Sequence, residues 1–200
     1  MTISITRTTL ASVESTNHKP LRFESRSQLP RRRDALWQIQ SGAVRTLTWL
    51  EDGNLATLGV WGAGDVVSHS LASANPYEIE CLTPVEAAIL PMTDYPQANE
   101  ALIRHIRELQ KFLEILHIRP LEVSLVNLLT WLAKKFGREV NNGQLIDLRL
   151  THQELAEILG TSRVTVTRMM KGFERQGIIE KFPGKLIILL EESPTWYYEI

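Results

Sequence analysis

Between Ser162 and Gln176 the chain reads SRVTVTRMMKGFERQ. Helical spacing sets Val166, Met169, Met170 and Phe173 on one face, as a buried side requires. What remains is Arg163, Thr165, Thr167, Arg168, Lys171 and Arg175. From Thr161 to Lys185 there are six basic residues and two acidic ones, in a chain whose formal net charge is −1. A helix serving only to pack has no use for that local excess; a helix laid against phosphates does. The bland alternative is a solvated basic face. Arg163 sits in the first turn, where a side chain reaches base edges in a major groove, and its guanidinium fork matches O6 and N7 of guanine. Val164 beside it offers an apolar contact suited to a thymine methyl. Thr167 and Arg168 complete the candidate base-contacting set.

The segment before it explains how such a helix would be held out. In LTHQELAEILG, Thr151 with Glu154 three residues later forms a capping box, and Leu155, Ile158 and Leu159 supply a buried side. Ala156 suits a steep crossing of two helices, and Gly160 suits the sharp turn. Counting from His152, Ala falls at the fifth position, Gly at the ninth, and apolar residues at the fourth, eighth, fifteenth and eighteenth. These independent positions match a helix-turn-helix. IIEKFPGKLIIL follows, two apolar β runs around Phe-Pro-Gly, which reads as a wing. Candidate backbone contacts are Thr151, Thr161, Ser162, Thr165 and Lys171, with Lys181 and Lys185 on the wing.

Upstream elements must carry this head. From Leu21 to about Leu90 the texture is β: LWQIQSG and AVRTLTWL alternate, EDGN supplies a turn before LATLGVW, Gly62 and Gly64 precede DVV, and IECLTPVEAAIL is a strand or a pair of strands. A small sandwich or barrel is expected. A helix is expected from about Asp94 to Ile118, with Leu102, Ile106, Leu109, Leu113 and Leu116 spaced four, three, four and three. That is a heptad seam along which a second copy would pack, with Ile103 and Phe112 flanking it. The alternative is packing only within the chain. A second helix, LEVSLVNLLTWLAKKFG, buries Leu121, Leu125, Leu128, Leu132 and Phe136, carries Lys134 and Lys135 in its last turn, and ends at Gly137. REVNNG reads as a polar turn before the short strand QLIDLRL. The expected fold is α+β, with a reduced β jelly-roll at 1–93, a dimerisation helix at 94–118 and a winged helix-turn-helix at 119–200.

Composition narrows the classes. No apolar run approaches the ~20 residues of a membrane span, and the N-terminus has no signal-peptide pattern, so a cytoplasmic protein is expected. Cys81 is the one cysteine and lies in an apolar run, which points to a buried thiol. His18, His69, His117 and His152 lack metal-ligand spacing, so no metal or cofactor is expected and a cupin-type metalloenzyme finds no ligands. A winged helix serving only protein contact is the other rival. The Ser- and Thr-rich first 20 residues and the aromatic ESPTWYYEI receive no role.

β domain, long heptad helix and winged helix-turn-helix together resemble the superfamily of the cyclic-AMP receptor and the fumarate–nitrate regulator, bacterial transcription factors. The resemblance runs from about Leu21 to Leu190 and is most specific over LTHQELAEILGTSRVTVTRMMKGFERQGII. SRVTVTR is similar to the cyanobacterial nitrogen-control branch; the receptor branch has an acidic residue in place of Val164. The resemblance implies a half-site beginning GTA with Arg163 on the guanine, Arg168 as second contact, and two such helices about 34 Å apart on a palindrome. It also implies double-stranded DNA, a homodimer and RNA polymerase as partners. The sensor half departs from the pattern. Cyclic-nucleotide binders need an Arg where this chain has VVSHSLASANPYEIECLTP, without one, which argues against cyclic AMP. The residues that hold 2-oxoglutarate on the long helix become His105 and Gln110, which counts against 2-oxoglutarate. His105 and Gln110 then mark a possible effector junction where the long helices meet the β domain, with the effector itself unassigned.

Overall fold

The structure is a computed structural model that describes residues 19–32, 34–182 and 187–190. Seven strands form the N-terminal part: β1 (Leu21–Phe23), β2 (Ala35–Ser41), β3 (Val44–Trp49), β4 (Leu55–Trp61), β5 (Val66–Val67), β6 (Glu78–Cys81) and β7 (Val85–Pro91). They make two antiparallel sheets, ordered β1-β7-β2-β5 and β4-β3-β6. Among the described residues that is one fewer than the roughly eight strands of a full jelly roll. IECLTPVEAAIL is thus a pair of strands. Inward-facing Trp37, Ile39, Val67 and Val85 of the first sheet meet Val44, Trp61, Ile79 and Cys81 of the second in one apolar core. Cys81 is fully buried, and burial pushes its thiol pKa up.

Helix α1 (Tyr95–His117) crosses the outside of the first sheet. Its Ala98 and Ala101 lie on Leu36, Val66 and Leu90, with Leu102 packed alongside. Small side chains at 98 and 101 let the helix approach the sheet closely. The expected seam divides here. Leu102, Leu109 and Leu116 are each turned toward cores of their own chain, and Phe112, placed beside the seam by sequence, is fully buried. Ile106 and Leu113 stay exposed, and Ile103 joins them. The reason is that leucines seven residues apart occupy one line on the helix. That line is used by the sandwich and by α2 (Leu121–Phe136), so the outward line is the neighbouring one.

Helix α2 is buried along Leu125, Leu128, Leu129 and Leu132. It ends at Gly137, where a Cβ would lie 2.2 Å from the Ala133 carbonyl oxygen and 2.6 Å from that of Leu145, so only glycine fits. REVNNG is not simply a turn. Gly137–Val140 forms β8, paired antiparallel with β9 (Gly143–Ile146) around Asn141 and Asn142. β8 is an edge strand whose middle residues Arg138 and Glu139 are both exposed, so no apolar alternation announces it. β9 also pairs with β11 (Ile187–Leu190), which pairs with β10 (Ile179–Lys181); the four strands flank helices α3 (His152–Leu159) and α4 (Arg163–Arg175). The β10–β11 hairpin is the expected wing. Lys185, the first 18 residues and the aromatic C-terminal stretch lie outside the described residues.

The core of the C-terminal part does not stop at its own boundary. Ala43, Val60 and Leu82 of the sandwich share it with Leu125, Leu155, Ile158, Met170 and Phe173. Among the described residues no helix is long and apolar enough to cross a membrane.

Candidate nucleic-acid interface

α3 and α4 take their shape from short-range chemistry. The Thr151 hydroxyl accepts the Glu154 N–H at 3.2 Å and the Glu154 carboxylate accepts the Thr151 N–H at 2.6 Å, so the capping box is complete. Gly160 closes α3 in the left-handed region (φ 62°, ψ 41°), which a side chain would disfavour. Ser162 then caps α4, its hydroxyl accepting the Thr165 N–H at 3.1 Å.

Val166, Met169, Met170 and Phe173 are all buried, as spacing predicts. At about 100° per residue they occupy one side of α4, while Arg163, Val164, Thr167, Arg168, Lys171 and Arg175 fall within an arc of about 140° opposite. Of these, Arg163, Val164, Arg168, Lys171 and Arg175 are exposed, Val164 to 78 %. Among the described residues, none of those four cations is paired with a carboxylate. The face is therefore cationic and open, with one bare apolar side chain in its first turn.

The hydroxyl-bearing candidates are less free. Thr167 Oγ1 donates to the Arg163 carbonyl at 2.8 Å and lies 2.9 Å from His152 Nδ1. Thr165 Oγ1 lies 2.9 Å from Ser162 Oγ. Thr161 is half-buried. Lys181, on the wing, approaches Glu174 at 3.6 Å. His152, absent from the sequence-based set, bridges α3 to α4. Burial, then the charges of Lys181 and Arg163, push its pKa down.

The possible effector junction resolves differently for its two residues. His105 is half-buried with its ring stacked on Trp61 (4.1 Å between centroids, 12° between planes) and its Nδ1 2.9 Å from the Val66 carbonyl. Burial lowers its pKa, against the Val66 carbonyl and Asp65. Gln110 is exposed on the outward side of α1. The two do not converge within one chain. The cation at this junction is Lys135 of α2, which spacing assigned to the helix dipole. Its Nζ pairs with Asp65 at 2.7 Å and Glu108 at 2.6 Å, and lies over the Trp61 and Trp131 rings. The described residues contain no group of His, Cys, Asp and Glu arranged to hold a metal.

Known proteins share this arrangement. A family model described as a Crp-like helix-turn-helix domain matches residues 124–193. The chain is 39 % identical over 172 residues to the regulatory protein CysR of Synechococcus elongatus, covering 84 % of this chain and 82 % of that protein. It is 34 % identical over 172 residues to the global nitrogen regulator of a Synechocystis strain, covering 78 % and 76 %. A crystal structure of a CRP-family transcriptional regulator from Thermus thermophilus superposes with a TM-score of 0.74 at 22 % identity, covering 86 % of this chain and 92 % of that one.

Proposed function

The chain belongs to the Crp/Fnr superfamily of transcription regulators, and on that premise we propose that it binds, as a homodimer, a palindromic operator whose half-sites begin GTA. That membership displaces the metalloenzyme reading. The observation that carries the proposal is the division of α4, with its apolar side wholly buried and Arg163, Val164, Arg168 and Lys171 open on the other. Arg163 takes the guanine, Val164 lies against the thymine methyl, and Thr167 and Arg168 make the further base contacts. Thr151, Thr161, Ser162, Thr165, Lys171, Lys181 and Lys185 hold the phosphates. Residues 1–93 serve as the sensor-like domain, 94–118 as the dimer helix and 119–200 as the reading head.

The dimer forms along Ile103, Ile106 and Leu113, with Gln110 and His117 completing a three-four-three-four spacing on the outward side of α1. The sensor takes no cyclic nucleotide: residues 65–84 contain neither Arg nor Lys, and a buried cyclic phosphate without a cation is costly. His105, stacked on Trp61, and Gln110 stand where the resembling branch holds 2-oxoglutarate, and the change of both counts against that ligand. The protein works in the cytoplasm and engages RNA polymerase at its promoters.

The test is selection of bound duplexes from a random pool, followed by Arg163→Ala. A GTA palindrome should emerge, and the variant should lose about 1–3 kcal/mol on it and accept other bases at the guanine. Binding of every duplex near 10⁻⁵ M at physiological salt, roughly the nonspecific range, would instead leave the winged helix as a protein-contact module.

A further inference from the structure

The sandwich meets the reading head through charge as well as through apolar packing. On the outer face of the β4-β3-β6 sheet, Arg45 of β3 has its side chain only 8 % exposed. Its Nε donates to Glu80 of β6 at 2.7 Å and its Nη1 to Glu157 of α3 at 2.6 Å. Arg26, following β1, donates from Nη1 to Glu80 at 3.3 Å and to Glu154 of α3. The other oxygen of Glu154 is the one that caps α3. The first helix of the reading head is therefore gripped at two carboxylates three residues apart, on one face, by two arginines of the sensor domain that share Glu80.

Two features separate this set from ordinary surface pairing. Glu154 and Glu157 have side chains 5 % and 10 % exposed and Arg45 8 %, so the Arg45–Glu157 pair is held out of water, while Arg26 reaches Glu154 from a half-exposed position. Arg26 also has φ at 69°, and it is the one non-glycine residue with positive φ among the described residues. Such a backbone is tolerated where the surroundings impose it. Here it delivers a guanidinium to Glu154 while the Arg26 N–H is held by the Cys81 carbonyl at 2.7 Å. A buried ionic set stabilises no better than apolar packing of equal volume would. What it adds is direction, because a guanidinium fork fixes the approach of its carboxylates.

Direction matters because α3 and α4 move as one: they are joined by the Gly160 turn and packed through Leu155, Ala156, Val166 and Met170. We propose that Arg26, Arg45 and Glu80 are positioning residues for DNA recognition. From the sensor domain they fix the angle at which α4 projects, and so the half-site spacing that the dimer accepts. This rests on the reading of α4 as a DNA-reading helix. It adds residues remote from DNA, on a face that no motif singled out.

The experiment uses the full chain and palindromes of the selected half-site, with the central spacer one base pair shorter, equal or longer. Affinities are measured alongside melting curves that give the folded fraction. The parent should prefer one spacing by about tenfold, comparable to the cost of a mismatched base pair. In Arg45→Met, and in Arg26→Asn, which keeps a residue at ease with positive φ, that preference should fall to about threefold or less once folded fraction is taken into account. Arg45→Lys, which keeps the charge but not the fork, should retain more of it than Arg45→Met. Variants that lose affinity in step with folded fraction at every spacing, or that keep the parent's preference, overturn the proposal; should Arg45→Met not fold, Arg26→Asn decides. A parent that prefers no duplex at all overturns the DNA reading itself, and this proposal with it.

Discussion

Replacing Ile106 by Ala tests which line of α1 faces a second copy. Ile106 is 54 % exposed, beside Ile103 at 50 % and Leu113 at 46 %, while the partly buried Leu109 packs against the sandwich core. Burying a whole Ile side chain contributes about 1.5–3 kcal/mol. The half of Ile106 still open would thus contribute about 0.8–1.6 kcal/mol per copy on association, and about 1.6–3.2 kcal/mol per dimer. At 1.4 kcal/mol per tenfold, the dimer dissociation constant should rise by roughly 15- to 200-fold, with the melting temperature of the separated chain little changed. Leu109→Ala should do the reverse. It removes a partly buried side chain packed on the core, costs up to about 2 kcal/mol of folding stability, and leaves association of the folded fraction nearly as it was. Sedimentation equilibrium with a thermal melt separates the two effects. A dimer as tight in Ile106→Ala as in the parent, or one weakened more by Leu109→Ala at equal folded fraction, would refute the outward register.

Lys171→Ala should weaken all duplexes alike and lower the slope of log affinity against log salt by about 1, measured on specific and random duplexes across salt concentrations. Acid should loosen the interface under α3. Burial raises the Glu154 pKa, but the Arg26 guanidinium and the Thr151 amide and hydroxyl outweigh it and hold the carboxyl below its usual range. Its stabilisation is therefore complete above that range and lost as pH falls through the lower folded value, so Glu154→Gln should melt earlier at pH 7 and show a flatter acid limb.

What was legible in the sequence is what short-range chemistry specifies. Thr151, Glu154, Gly160 and Ser162 act on neighbours within four residues, so the helix-turn-helix and the buried quartet of α4 were readable before any coordinates. The strands were readable from alternating residue types, although β3 is buried on both faces. Leu102, Leu109 and Leu116 satisfy a heptad while also packing against their own chain, and only tertiary packing decides between adjacent lines of one helix. Lys135 fits the helix-dipole preference equally well whether solvated or, as here, paired with Asp65 and Glu108. Arg45 looked like the polar half of an alternating strand. Its partner Glu157 lies 112 residues away, and Glu154 lies 128 residues from Arg26, separations no local pattern discloses.

The placement of these long-range contacts gives the sandwich a mechanical role. Its interior is filled by Trp37, Ile39, Val44, Trp61 and Ile79, and both of its outer faces are engaged. Leu36, Val66 and Leu90 carry α1, and Arg45 and Glu80 carry α3. Lys135 ties the turn before β5 to both long helices, and Gly62 there approaches Phe136 so closely that a Cβ would lie 2.6 Å from its ring. The outward stripe of α1 and the cationic face of α4 are therefore attached to opposite sides of one packed body. Any shift of α1 across its sheet must either break the Lys135 pairs or carry the sandwich with it, and the arginines would pass that motion to α3. In this fold α1 lies on one outer face of the sandwich through apolar packing, α3 is held on the other by the Arg26 and Arg45 ion pairs, and Lys135 joins both long helices to the turn before β5.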